Sequence, residues 1–185
     1  FYPINNVGPR IAAHAYNKSL KENGSQKTVI LGKVLNEAQK ECMVWDIERG
    51  IPDRIQEKPW QTCTCIGTWH YERSFYDNNR YKSAKTVIHM LIDIISKNGN
   101  LLLSVPMRGD GTIDDKEKAI LKTISDWMDI NKESIYDTRP WKVFGEGPTA
   151  DQINPMKGPG FNENIKYSNK DIRYVIKGNS LYATV

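Results

Sequence analysis

The spacing of apolar residues in the middle of the chain alternates between the periods of helices and strands. Across residues 82–97, apolar side chains recur at intervals of three and four, which predicts a helix with one buried face. Residues 101–105 then form a continuous apolar run between Gly and Pro, typical of a strand buried on both faces of a parallel sheet. A second amphipathic helix is predicted after Asp114 and Asp115, which can cap it. This order predicts βαβ units.

The earlier part of the chain predicts one more helix and two strands. Residues 9–23 have helical spacing and end at an Asn-Gly stop signal, and residues 28–31 form a short β-type run. Residues 41–48 are strand-like and run into the turn formers Gly50 and Pro52. The end of this strand is therefore a good position for a functional side chain.

The C-terminal residues change character. Residues 145–160 are rich in Gly and Pro and are interpreted as a linker, and residues 171–185 alternate as a β-hairpin does. We therefore expect three parts: an α/β part at 1–144, a linker at 145–160, and the start of a β-rich domain at 161–185. The βαβ series fits either a barrel or a doubly wound sheet, but no Gly-x-Gly-x-x-Gly phosphate loop supports a nucleotide fold.

Composition narrows the function classes only slightly. Of the 185 residues, 39% are apolar, which is enough to form one hydrophobic core. Charged residues make up 26%, and the net charge of +4 is too small to indicate a strongly charged partner. The Lys and Arg residues are scattered, so we expect no nucleic-acid partner. No apolar run reaches membrane-spanning length. Cys42, Cys63 and Cys65 lack the spacing of a zinc site, so we expect unpaired, buried thiols, no metal and no cofactor.

The most informative stretch combines a carboxylate with a dense group of aromatic residues. Residues 48–52 read Glu-Arg-Gly-Ile-Pro, and residues 59–71 read Pro-Trp-Gln-Thr-Cys-Thr-Cys-Ile-Gly-Thr-Trp-His-Tyr. The same order of motifs continues with Lys82-Ser83 and with the segments 98–106, 110–113 and 134–141. Together they resemble the C-terminal half of the catalytic domain of the α-L-fucosidases, glycoside hydrolase family 29. The resemblance covers most of positions 26–185.

This resemblance implies a fold and an activity. The fold would be part of a (β/α)8-type TIM barrel followed by the start of a β-sandwich, with the N-terminal half of the barrel supplied by residues upstream. The activity would be that of a retaining exo-α-L-fucosidase acting on fucosylated oligosaccharides or glycoconjugates, without cofactor or metal. The family's nucleophilic Asp belongs to a Trp-Phe-Asp-like motif that this chain lacks. A periplasmic, extracellular or lysosomal location follows by resemblance only, since any signal segment would lie upstream of this chain. The oligomeric state stays open.

The resemblance places the general acid/base at Glu48. This residue lies thirteen positions before Gln61 of the Trp-Gln-Thr-Cys motif, close to the family's spacing. The alternative is an ordinary solvated Glu at a strand end. Asp46, about 6.6 Å away between Cα atoms on a strand, is expected to be a supporting carboxylate rather than the nucleophile. Gln61 stands where many members have Glu, and an amide there has a structural role only.

Three further residues are expected to bind substrate. Trp69 matches the aromatic residue that packs against fucose in the family, although it can also be plain core. His70 either donates a hydrogen bond to a sugar hydroxyl or caps its loop. Lys33 stands where the family often has an Arg near the sugar ring; it keeps the charge and loses the forked geometry.

Two rival interpretations remain open. One is a non-catalytic carbohydrate-binding protein derived from a glycosidase barrel, which keeps Trp69 and has lost its pair of carboxylates. The other is an α/β enzyme of unrelated chemistry. An Asp at the end of the preceding strand, upstream of this chain, would favour the fucosidase over the binding protein.

Overall fold

The computed structural model describes residues 7–152, 154–156 and 160–185. The chain divides between Trp45 and Asp46 into two compact units. Neither the first few residues nor the predicted linker is described completely, and part of the interval 145–160 lies outside the described residues.

The first unit contains two helices and a minimal parallel strand pair. Helix α1 is Val7–Asn23, strand β1 is Leu31–Gly32 and helix α2 is Glu37–Lys40. Strand β2, Val44–Glu48, begins in the last two residues of this unit and continues into the second. Leu31 and Gly32 pair in parallel with Val44 and Trp45. The predicted strand at 28–31 is therefore wrong in extent, because only its last residue is in β1 and the segment from 25 to 30 has no regular structure.

The second unit begins with the rest of β2 and continues with a parallel βαβ arrangement. Its elements are β3 (Trp60–Cys65), α3 (Arg73–Asp77), α4 (Ala84–Ser96), β4 (Gly99–Ser104) and α5 (Asp115–Asn131), followed by a 3-10 turn at Lys132–Ser134. The strands β2, β3 and β4 are neighbours in that order. Strands β3 and β4 pair in parallel from Trp60 opposite Gly99 to Cys65 opposite Ser104.

Local sequence explains where the two long helices of this unit begin. The Ser83 hydroxyl accepts a hydrogen bond from the Thr86 backbone N–H at the start of α4. At the start of α5, Asp114 and Glu117 form a reciprocal capping box. The prediction that Asp114 caps the second helix is thus confirmed.

The core of this unit lies between α4 and the sheet. Ile47, Trp60, Val87 and Ile94 are almost fully buried, and the Trp60 indole N–H donates to the Lys97 carbonyl oxygen at 2.9 Å. The prediction that residues 101–105 are buried on both faces is wrong, because Leu102 is 53% exposed. In the described chain β4 is the last strand of its sheet, so it has a hydrogen-bonded neighbour on one side only.

A separate antiparallel sheet follows. Its strands β5 (Arg139–Glu146), β6 (Ile172–Lys177) and β7 (Ser180–Thr184) lie in that order, and β6 and β7 form the predicted hairpin. Strand β5 crosses the predicted boundary at 144/145 and pairs with β6. The division of the chain at 1–144, 145–160 and 161–185 stays a prediction. The α/β class holds, with a parallel sheet and an antiparallel sheet.

A buried ionic cluster connects α4 to the antiparallel sheet. Asp93 in α4 is completely buried and accepts hydrogen bonds from Lys97 at 2.9 Å, from Tyr167 at 3.0 Å and from Arg173 of β6. Burial lowers the pKa of Lys97, and the Asp93 carboxylate opposes that effect. No described helix is long and apolar enough to span a membrane.

Candidate active site

Glu48 is the last residue of β2 and its side chain is partly buried. The turn that follows places Arg49 in the left-handed region, with φ 48°. This conformation is unfavourable for a residue with a Cβ, so surrounding contacts must hold it. One of these contacts is the Arg49 backbone N–H, which donates to the Cys63 carbonyl oxygen of β3 at 2.9 Å.

Successive residues of β2 contact successive residues of β3. Gln61 donates to the Asp46 carboxylate at 3.2 Å, and farther along the Thr62 hydroxyl donates to the Ile47 carbonyl oxygen at 3.1 Å. Arg49 follows with its bond to Cys63. The two strands therefore run in the same direction, and Glu48 lies at the carboxyl edge of the sheet.

Asp46 and Gln61 support each other in this arrangement. Asp46 is only 8% exposed, and its carboxylate receives the Gln61 amide. This geometry agrees with a supporting role for both, since a buried carboxylate with a side-chain donor has little access to a sugar.

Two cysteine side chains lie beside Glu48. The Cys63 thiol is 3.7 Å from Glu48 Oε2, and the Cys65 thiol donates to the Gly67 carbonyl oxygen at 3.0 Å. Burial raises the pKa of the Cys65 thiol, with smaller opposing effects from Arg49 and Lys82. All three cysteines are free, but Cys42 is exposed, so the expectation of burial fails for Cys42. Cys42 follows the short helix α2 at the surface of the first unit.

Sequence reasoning missed a buried carboxylate at this edge. The Glu163 side chain is 6% exposed and pairs with Arg49 at 2.8 Å and with Lys82 at 3.1 Å. The Thr64 hydroxyl donates to its other oxygen at 2.5 Å. Glu163 is more than a hundred positions from Arg49 along the chain, so no local spacing pointed to it. Its three partners Arg49, Thr64 and Lys82 all lie in motifs that carry the family resemblance, and they were the available signal.

Trp69 and His70 lie in the irregular segment between β3 and α3. Both are exposed, and Trp69 retains 42% of its surface. Plain core is therefore the wrong interpretation of Trp69. Its ring is accessible, as stacking on a sugar requires, while contact with substrate stays a prediction for both residues.

Lys33 lies in the first unit, directly after β1, and is exposed. Its expected role beside the sugar stays a prediction. Within the residues that the structure describes, no group of three or more His, Cys, Asp or Glu side chains could hold a metal ion.

Known proteins resemble this chain over much of its length. The family model described as alpha-L-fucosidase matches residues 8–133. The alpha-L-fucosidase of Dictyostelium discoideum is 33% identical over 92 residues, which cover 50% of this chain and 20% of that protein. The tissue alpha-L-fucosidase of Homo sapiens is 29% identical over 109 residues, which cover 58% of this chain and 23% of that protein.

A solved alpha-L-fucosidase structure shares the fold. It superimposes with a TM-score of 0.71 at 21% identity, covering 95% of this chain and 35% of the other. The family match covers residues 8–133, which include β2 and Glu48. The chain belongs to the alpha-L-fucosidase family. It spans about a fifth of the length of the two curated relatives.

Proposed function

We propose that this chain is part of a retaining exo-α-L-fucosidase and that Glu48 is its general acid/base. The observation that carries the proposal is the position of Glu48: a partly buried carboxylate at the carboxyl edge of a parallel sheet, in a chain of the alpha-L-fucosidase family. In α/β barrel enzymes this edge carries the catalytic residues.

Retaining hydrolysis needs two carboxyl groups with different roles. Glu48 protonates the oxygen of the leaving group while the nucleophile attacks the anomeric carbon. It then removes a proton from the water that releases fucose. By resemblance to the family, the nucleophile is the Asp of the Trp-Phe-Asp-like motif that this chain lacks, and Asp46, which is buried against Gln61, keeps a supporting role. Glu163 suits neither role, because Arg49, Lys82 and Thr64 already contact its two oxygens.

The remaining features complete the proposal. Trp69 stacks on the apolar face of fucose, and His70 and Lys33 supply polar contacts to the sugar. The parallel sheet is part of a (β/α)8 barrel whose other strands come from residues outside this chain, and the antiparallel sheet opens a β-sandwich. The substrates are fucosylated glycans, and the location is periplasmic, extracellular or lysosomal.

A panel of aryl glycosides tests the activity. The complete purified protein is expected to release the chromophore from the α-L-fucoside and not from the matching β-D-galactoside, α-D-mannoside or β-L-fucoside. Fucose binding without turnover would instead favour a non-catalytic carbohydrate-binding protein. A protein that neither binds fucose nor hydrolyses the α-L-fucoside would overturn the proposal.

A further inference from the structure

A short segment near the C-terminus lies against the turn that carries Glu48. This segment, residues 160–163, is called the strap here. Gly160 forms an isolated parallel bridge with Glu48, and the Phe161 backbone N–H donates to the Glu48 carbonyl oxygen at 2.9 Å. The Asn162 amide contacts both backbone groups of Ile51, accepting from its N–H at 2.8 Å and donating to its carbonyl at 2.9 Å. The strap thus extends the hydrogen bonding of β2 through the turn.

The strap and the turn approach too closely for side chains between them. A Cβ on Gly160 would lie 1.7 Å from the Glu48 carbonyl oxygen. A Cβ on Gly50 would lie 2.8 Å from the Asn162 side-chain oxygen and 2.9 Å from the Gly160 Cα. Only glycine fits at both positions, so the backbone after Glu48 is fixed by direct contact.

Glu163 adds an ionic contact to this backbone contact. Its carboxylate pairs with Arg49, the residue next to Glu48, whose backbone is in the left-handed region. The Glu163 side chain is 6% exposed, whereas those of Lys82 and Arg49 are 16% and 31% exposed. Largely buried pairs of this kind hold geometry more firmly than exposed ones, because solvent screens them less.

The charges of this cluster also act on its surroundings. Glu48, Arg49, Lys82 and Glu163 all interact electrostatically with the Cys65 thiol, so the four groups share one neighbourhood. Asp46 lies two residues before Glu48 on β2, and the Cys63 thiol is also beside Glu48. Removing the charge of Glu163 leaves two cations without their shared carboxylate, and excess positive charge favours the ionised form of a nearby carboxyl group.

We propose that Glu163 is a positioning residue for Glu48: it holds Arg49 and Lys82, fixes the turn after β2, and balances the positive charge beside the general acid. This proposal rests on the fucosidase function proposed above. Glu163 touches no substrate in this role. It acts through its ion pairs with Arg49 and Lys82, while the rest of the strap holds the backbone of the turn.

The test compares Glu163→Gln with the parent in the complete protein, using α-L-fucosides with good and poor leaving groups. Protonation of the leaving group matters most for poor leaving groups, and general acid catalysis contributes about 10²- to 10⁴-fold. We therefore expect kcat/KM to fall about 10- to 100-fold more for the poor leaving group than for the activated one. The alkaline limb of the pH–rate profile is expected to move to lower pH.

Four further variants separate positioning from general damage. Glu57→Gln changes an exposed Glu of the same unit and should leave both substrates unaffected. The double variant Glu163→Gln/Lys82→Gln restores the net charge and should return the alkaline limb toward the parent. Thr64→Val removes one hydrogen bond to Glu163 and should give a smaller, equally selective loss, with Thr64→Ser as its matched control.

The outcomes distinguish this proposal from the function on which it rests. A parent protein that hydrolyses no α-L-fucoside overturns both. An active parent whose Glu163→Gln variant loses activity equally on both substrates, with an unmoved pH profile, overturns the positioning role alone. If Glu163→Gln does not fold, as judged by its melting transition, an unselective effect of Thr64→Val overturns that role.

Discussion

Asp171 is expected to stabilise the antiparallel sheet through its ionised form. It is 6% exposed and lies directly before β6. The backbone N–H and hydroxyl of Thr149 donate to one carboxylate oxygen, both at 2.7 Å. The backbone N–H and hydroxyl of Ser168 donate to the other at 2.8 and 2.9 Å. Asp171 thus ties together two loop residues on either side of the incompletely described segment.

The pKa of Asp171 sets the size of this effect. Burial alone would raise the pKa, but the bonds from Thr149 and Ser168 outweigh burial and lower it from 3.8 to about 2. One pKa unit corresponds to about 1.4 kcal/mol, so the ionised form contributes about 2 kcal/mol to folding. Because the folded-state pKa is lowered, this contribution is complete above pH 3.8 and is lost as the pH falls through about 2.

Replacing Asp171 by Asn removes the negative charge and turns one of the two acceptor oxygens into an NH₂ group, so either Thr149 or Ser168 loses its acceptor. At neutral pH we expect the backbone amides of β6 to exchange about 30-fold faster in hydrogen-exchange mass spectrometry, which corresponds to about 2 kcal/mol. The exposed Asp129→Asn in α5 is the matched control and should change nothing. The parent should also lose stability between pH 4 and pH 2 to a greater extent than the variant. Unchanged exchange in Asp171→Asn, or identical acid sensitivity, would refute the reasoning.

Two further predictions concern the buried ionic cluster and the exposed aromatic residue. Asp93→Asn leaves the buried Lys97 and Arg173 without a carboxylate. The free energy of unfolding, measured by denaturant titration, should therefore fall by about 3–5 kcal/mol. An unchanged denaturation midpoint would contradict this prediction. Trp69→Ala should lower kcat/KM for the α-L-fucoside about tenfold with the melting temperature unchanged, since one stacking contact is worth about 1 kcal/mol. Tyr136→Ala, another exposed aromatic residue at 60% exposure, is its control, and equal effects of the two would count against sugar stacking by Trp69.

The sequence predicted the elements with strong periodicity and local caps. Helix α4 follows from its apolar spacing, and helix α5 follows from its apolar spacing and from Asp114, which caps it through a neighbour three residues away. Strand β4 was also found, but its predicted burial on both faces failed at Leu102. Burial depends on which elements cover a strand, and a continuous apolar run does not contain that information. Strand β3 is not predicted from the sequence, because its Thr and Cys residues give no clear alternation of apolar and polar positions.

The candidate site was predicted in part. The position of Glu48 at the end of a strand followed from the turn formers after it. The surroundings of Glu48 could not be predicted, because the strap, which includes Glu163, contacts the turn only through tertiary contacts between residues about 110 positions apart. Gly160 and Gly50 are required because the backbones of the strap and the turn approach each other closely. This requirement is visible only in the folded structure.

The most direct test of the central claim replaces Glu48 itself. Glu48→Gln keeps the size of the side chain and removes its ability to donate and accept the proton. With an α-L-fucosyl disaccharide, whose leaving group needs protonation, kcat/KM is expected to fall about 10²- to 10⁴-fold. With 2,4-dinitrophenyl α-L-fucoside, whose leaving group departs unaided, formation of the intermediate should be nearly unaffected in the initial burst. Equal losses for both substrates, or full activity of the variant, would contradict the assignment of Glu48 as the general acid/base.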